Sequence, residues 1–335
     1  MGKVYKYRYG YTPVDIPEGL TEDQIQKKLN QQNNEKEIFE RDLSCVKNNQ
    51  VYFSPYEALN DPTEGYISKE EIKRELDNFE QGMIEVMLNG ESKTIDNEIF
   101  KLMEPAEGSV YPLEKTLRYS LKKLRKRNSP RKALEKFYQE KTNNFSDRMR
   151  IIDEYKQGVY ENLSMVLKSY GILSLSLTYD NILMWAHYAN SHKGYVLEYD
   201  KEKLLQNLII NKDLYNFMIK YGNEVPSFKL RELIFDANNP QDRGMKAKNI
   251  LEKFWSYKAK PWAYEEEFRI IIEGQGIRYH YKKALTGVYF GLRMNDELKT
   301  KMEEALKGRG IKFYDMTHKE NSYEFDKPIL RPKLS

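Results

Sequence analysis

The first residues, Lys3-Val-Tyr-Lys-Tyr-Arg-Tyr9, alternate aromatic and basic side chains. On an extended chain this puts Tyr5, Tyr7 and Tyr9 on one face and Lys6 and Arg8 on the other, so the segment is predicted to be a strand. A polar, amide-rich helix is expected from Thr21, whose hydroxyl can cap it, and Val51-Tyr-Phe53 begins a second short strand. From about Ser68 to Tyr170 the pattern changes to three-and-four spacing. Leu113, Leu117, Leu121 and Leu124 form one stripe, and Met149, Ile152, Tyr155, Val159, Leu163 and Val166 form another, with Ser129-Pro130 between them. This region is predicted to be a helical insertion, and its stripes to be helix-to-helix core.

After Gly171 the extended pattern returns. Ile172 to Leu177 alternates Leu with Ser, Gly194 to Asp200 has strand composition, and Asn181 to Ala189 between them has the character of a short apolar helix. The stretch from Lys201 to Lys253 is mixed, with loops expected around Pro226 and Pro240. Phe268–Ile272 and Thr286–Phe290 are predicted strands, Asp296–Leu306 a helix and Lys312–Tyr314 a last strand. The fold class is therefore α+β. Residues 1–67 and 171–335 are expected to build a mixed or antiparallel sheet core, interrupted by a helical insertion at 68–170.

Composition narrows the function. The chain has 335 residues, 40% apolar and 32% charged, enough for a full core under a heavily solvated surface. A mean hydropathy of -0.79 leaves no apolar run near the ~20 residues a bilayer span needs, so no membrane partner is expected. The amino terminus has no secretory apolar stretch, and the single Cys45 has no intramolecular partner, so a cytoplasmic location is expected. A net charge of +4 conceals a concentration between Arg118 and Arg150, with 12 Lys or Arg against 3 acids. That segment is either the wet face of long helices or a surface for a protein or nucleic-acid acceptor. Oligomeric state cannot be read from the sequence.

Three clusters carry chemistry. Asn60-Asp-Pro-Thr-Glu64 is a turn, in which Asn60, Asp61 and Glu64 either hold the backbone or join a site. Trp185, His187, Tyr188 and His192 lie on or after the short apolar helix. His187 and His192 are five apart, the wrong spacing for two metal ligands on one helical face, so no metal is expected. Trp185 and Tyr188, three apart, can stack on a flat ring or belong to the core. Glu265-Glu-Glu267 enters an apolar strand with Arg269 behind it. If the extended period has begun by then, Glu265 and Glu267 share a side. Such a pair can orient a ribose hydroxyl, stabilise a developing oxocarbenium ion or act as a base.

These clusters together, with Tyr5-Lys-Tyr, Val51-Tyr-Phe-Ser-Pro, Leu183-Met-Trp-Ala-His-Tyr-Ala189, His192-Lys-Gly194 and Trp262-Ala-Tyr-Glu-Glu-Glu-Phe-Arg269, resemble the bacterial domain of unknown function twenty-nine seventy-one. In chain order, a basic strand with Arg8, the strand Ser174-Leu-Ser176-Leu-Thr178 and Glu265-Glu-Glu267 further resemble the arginine, serine-rich strand and Glu-x-Glu arrangement of one ADP-ribosyltransferase class. The serine strand lies farther from the glutamates than in that class. The resemblance implies NAD as substrate, with Glu267 catalytic and Glu265 orienting the substrate. Arg8, or equally Lys6 or Tyr7 as the first motif, with Ser174, Ser176, Trp185, His187 and Tyr188, would contact NAD. What such families often do would then suggest a role in bacterial conflict, such as phage defence.

Two other readings stand beside it. A magnesium-dependent nuclease could use Glu198, Asp200 and Glu267 with Lys258 or Lys260. A binding module could recognise a nucleotide or nucleic acid without catalysis. GxxxxGK[ST], HExxH, paired CxxC and GxSxG are all missing from the sequence, which excludes the common P-loop, zincin, zinc-ribbon and serine-hydrolase routes.

Overall fold

The computed structural model describes residues 2–11, 21–61, 63, 74–75, 161, 168–208, 214–225 and 252–332. The chain divides into two compact units, residues 1–64, 168–225 and 256–335, and residues 65–167 and 226–255. The first unit holds every element named below. The leucine stripes, the basic segment 118–150 and Glu64 lie outside the described residues.

In chain order the first unit contains β1 (Lys3–Arg8), α1 (Glu22–Lys47), β2 (Gln50–Pro55), β3 (Tyr170–Ser176), α2 (Ile182–Tyr188), β4 (Tyr195–Asp200), α3 (Lys201–Leu208), β5 (Tyr215–Met218), β6 (Lys220–Gly222), β7 (Tyr257–Ala259), β8 (Glu267–Glu273), β9 (Gly276–Tyr279), β10 (Leu285–Phe290), α4 (Asp296–Ala305), β11 (Lys312–Asp315) and β12 (Ile329–Leu330). Short 3-10 helices follow β2 and β7, at Tyr56–Ala58 and Lys260–Glu265. The fold is α+β, built on a mixed, mostly antiparallel sheet.

Local chemistry explains the helix starts. Thr21 and Gln24 form a reciprocal capping box at the head of α1. Asn181 caps α2 by accepting from Leu183 N and Met184 N, and Asn295 caps α4 by accepting from Glu297 N. The period-two alternation then divides the sheet's side chains between two layers. Val4, Leu173, Leu175, Phe268, Ile270 and Ile272 pack on one face with Phe39, Leu43 and Val46 of α1 and with Leu298 and Met302 of α4. Tyr5, Tyr7, Val196 and Tyr289 pack on the other with Met184 and Trp185 of α2.

The ladder order is β12-β11-β10-β4-β1-β3-β2-β9, with β8 on the other edge of β3 and β5 beyond β8. β1 pairs along its whole length with β4, from Lys3↔Asp200 to Arg8↔Tyr195, but meets β3 at a single pair, Tyr5↔Ser176. The same edge of β3 is taken up again by β2 only at Ile172 and Gly171. Between these contacts, residues 173–175 have no strand partner on that edge among the described residues. The sheet therefore forks at β3, and the fork creates the concavity described next.

Gly194 makes the close approach behind β1 possible. A Cβ there would stand 2.0 Å from the Arg8 carbonyl oxygen, which no side chain tolerates. The turn leading to it runs through Asn190, Ser191 and His192, all with positive φ.

Candidate functional site

A cavity of about 340 Å³ opens in the fork, and its lining comes from β1, α1, β2, β3, α2, Lys258, Glu265 and the first residues of β8, Glu267 and Arg269. Of the residues singled out in the sequence, Tyr7, Arg8, Asn60, Ser174, Ser176, Tyr188, Glu265, Glu267 and Arg269 line it; Trp185, His187 and Asp61 do not.

The register brings the separated motifs together. Tyr5 faces Ser176 across β1 and β3, and Ser176 faces Glu267 across β3 and β8, so three distant segments meet in one row. Ser174 faces Arg269 one pleat further along. Ser176 Oγ donates to the Glu265 carbonyl at 2.7 Å and accepts from Thr178 N at 3.1 Å, fixing the end of β3 against the chain that enters β8.

The acidic triplet differs in one respect from the expectation that an extended period places Glu265 and Glu267 on one side. Glu265 ends a 3-10 helix, and Glu266 adopts the left-handed conformation, with φ 43 and ψ 53. That reversal sends the Glu266 side chain to solvent and buries both flanking carboxylates. The two therefore converge through a turn, not through strand alternation.

The buried carboxylates are held by specific partners, as two charges out of water must be. Arg269 grips Glu267 with a fork, Nε to Oε1 at 2.8 Å and Nη2 to Oε2 at 2.9 Å. Lys258 Nζ lies 2.5 Å from Glu265 Oε2 and 3.4 Å from Glu267 Oε2, bridging the pair. The Tyr188 hydroxyl donates to Glu265 Oε1. Tyr221 Oη accepts from the Glu267 backbone N–H at 2.8 Å.

These surroundings set the two acids apart. Burial pushes the Glu267 carboxyl up, but Arg269 and Lys258 overcome it and hold it down at about 2. At Glu265 burial prevails over Lys258 and Tyr188, and its pKa is raised. Two neighbouring carboxylates with opposite shifts are a common signature of divided acid–base roles.

The opposite wall is cationic. Arg8 Nη1 lies 3.6 Å from Asp42 Oδ2, and Arg41 Nε 3.8 Å from Asp42 Oδ1. Lys6 reaches across the unpaired stretch of β3 and donates to the Ser174 carbonyl at 2.6 Å. Counting its lining, the cavity holds five basic side chains, Lys6, Arg8, Arg41, Lys258 and Arg269, against three acids, Asp42, Glu265 and Glu267. Such a cavity favours an anionic ligand.

Sequence reasoning left Arg41 and Asp42 unremarked and connected Lys258 only with nuclease chemistry. Arg41 and Asp42 sit in a polar helix whose acids and bases look alike in sequence, and Lys258 precedes Glu265 by seven residues with no motif between them. Only the tertiary pairing distinguishes them.

Trp185 belongs to the core. It is fully buried, its Nε1 donates to the Tyr179 carbonyl at 2.6 Å, and its ring meets Tyr7 edge-on at 5.5 Å. His187 is exposed, 6.1 Å from the Tyr264 ring. Asp61 Oδ1 accepts from Thr63 N and Thr63 Oγ1 and so braces its own turn. The nuclease acids do not gather. Glu198 is bound to Lys3, Thr286 and Tyr289, while Asp200 caps α3 through Lys203 N. Among the described residues no group of three His, Cys, Asp or Glu could hold a metal ion, and no helix is long and apolar enough to cross a membrane.

Residues 184–270 match the model of a family described as Protein of unknown function (DUF2971). That segment contains Tyr188, Lys258, Glu265, Glu267 and Arg269, one wall of the cavity. No curated protein and no solved structure matches the chain.

Proposed function

We propose that the fork cavity binds NAD and that the protein cleaves its nicotinamide–ribose bond, passing ADP-ribose to an acceptor or to water. The observation that carries this reading is the meeting of Arg8, Ser176 and Glu267 in the lining of one cavity, from segments scattered along the chain.

Each group has a physical task. The guanidinium of Arg8 keeps donors beyond those facing Asp42, and a fork of N–H groups suits a pyrophosphate. When the glycosidic bond breaks, its electron pair goes to the pyridinium nitrogen and nicotinamide leaves neutral, so positive charge develops on the ribose. Glu267, ionised down to about pH 2, is positioned to stabilise that charge, with Arg269 fixing its orientation. Glu265, whose raised pKa makes it the stronger base, takes the proton of the incoming hydroxyl or amine. The basic segment 118–150 would supply the surface for a macromolecular acceptor.

A second reading is favoured by the engagement of both carboxylates with Lys258 and Arg269. In it, the cavity is an anion receptor without catalysis. Steady-state kinetics of nicotinamide release separates the two. Under the first, Arg8→Lys raises KM with little change in kcat, because the phosphate fork is lost and the charge kept. Glu265→Gln lowers kcat by on the order of 100-fold, as for loss of a group acting in the transition state. Saturable NAD binding without release of nicotinamide would establish the receptor instead.

A further inference from the structure

We propose that Lys6 is a carbonyl-reactive amine of the fork cavity, forming an imine with the open-chain aldehyde of a phosphorylated sugar. Its placement carries the argument. Lys6 lines the cavity at the point where β1 leaves β3, and its Nζ donates to the Ser174 carbonyl at 2.6 Å. Among the described residues that carbonyl is its one hydrogen-bond partner, and it makes no ion pair. The acids nearby are held elsewhere: Glu267 by Arg269, Glu265 by Lys258 and Asp42 by Arg8.

An ammonium in that position is poorly compensated. Burial disfavours the charged form and Arg8, on the same face of β1, repels it, against weaker support from Glu267, Asp42 and Glu265; together they bring the amine down to about 7. A neutral amine can keep one N–H on the Ser174 carbonyl and still present its lone pair to the cavity. A lysine in such surroundings is the type that serves as a Schiff-base group.

The remaining lining points to the ligand's charge. Arg8 and Arg41 line the same cavity as Lys6 and provide donors for a phosphate, and the cavity's volume of about 340 Å³, within the range of about 300–1,000 Å³ typical of ligand sites, takes at least the sugar phosphate end of a ligand. The lone pair of Nζ attacks the aldehyde carbon, the carbonyl π pair moves to oxygen, and a carbinolamine forms. Loss of that oxygen as water, with one proton from the amine and one from solvent, gives the protonated imine. No oxidant or reductant takes part. The step requires the cavity but not NAD cleavage. It bears on the proposed function because ADP-ribose, the hydrolysis product, carries such an aldehyde.

The experiment is reductive trapping. The full chain is incubated with ribose 5-phosphate and sodium cyanoborohydride, without NAD, and modified lysines are mapped by peptide mass spectrometry. The expected result is one saturable adduct at Lys6, suppressed by inorganic phosphate and formed about tenfold more slowly with unphosphorylated ribose, which lacks the charge-assisted contacts. Arg8→Lys should raise the half-saturating concentration while Lys6 remains the modified residue. Adducts spread over surface lysines with Lys6 unmodified would overturn the proposal, as would equal rates for ribose and its phosphate. Mapping of the wild-type chain decides the matter even if Lys6→Arg fails to fold. Absence of nicotinamide release in a separate assay would count against NAD cleavage and not against the imine.

Discussion

Glu266 decides how the acidic triplet is used. Its left-handed backbone costs a side-chain-bearing residue about 1–2 kcal/mol, a strain glycine does not feel. Its own carboxylate is exposed and absent from the cavity lining. Glu266→Gly is therefore expected to stabilise the fold by about 1 kcal/mol by chemical denaturation, whereas a β-branched residue there should destabilise it. The sequence shows three acids before an apolar strand, and burial cost indicates that not all can go inside. It does not show that the middle one is expelled, because a left-handed Glu has no local signature.

The flanking acids make opposite contributions to pH dependence. Glu267 has a folded-state pKa depressed to about 2, so its stabilisation is fully present above its ordinary value near 4.5 and is lost as pH falls toward 2. Glu265 is raised, so its ionisation costs stability above that range and protonation relieves the cost as pH falls. The two act in adjoining windows, Glu265 above about 4.5 and Glu267 below it. Glu265→Gln should therefore abolish the gain in stability that wild type shows as pH falls toward 4.5 from above, and leave the fall between pH 4.5 and pH 2 unchanged. A variant that keeps the gain above pH 4.5 would show that the assigned shifts are wrong.

Among the elements, β3 organises the site. Its Leu residues face the α1 side and its Ser residues face Tyr5, Glu267 and Arg269, so the alternation read in the sequence serves two layers with different chemistry. β1, β3 and β8 were legible because their alternation or apolar runs are long. β9 and β12 were not, because each is short and exposed on an edge, and β5 lies in the mixed stretch after Lys201. The fork itself was illegible, since it depends on β1 leaving β3 after one pair to follow β4, and pairing order is not written in periodicity. The β1–β4 ladder is held close by Gly194. Gly194→Ala should cost about 3 kcal/mol or more, since the clash is with backbone and cannot be relieved by a rotamer change. Denaturation midpoints of the two proteins test this directly.

For the whole molecule, the sheet converts sequence separation into contact. Arg8, Ser176 and Glu267 are placed around one cavity by ladder register alone, and the residues that neutralise them, Lys258, Arg269 and Asp42, arrive from elements on each side. The α+β class, the strands β1, β3 and β8 and most of the residues that line the cavity could be read from pattern and chemistry. The charge balance of the cavity could not, because it depends on which of many similar Lys, Arg, Asp and Glu side chains are brought inward.

The measurement that tests the central claim most directly is nicotinamide release from NAD by the purified chain, with Glu267→Gln alongside. That substitution leaves Arg269 with a diminished partner in a buried pair, at a cost of up to about 3–5 kcal/mol, so both proteins are compared only where circular dichroism shows them folded. Release by the wild type that falls by on the order of 100-fold in the folded variant is the expected result. No release by the wild type, or equal release by both, would contradict the assignment of the fork cavity as an NAD-cleaving site built on Glu267.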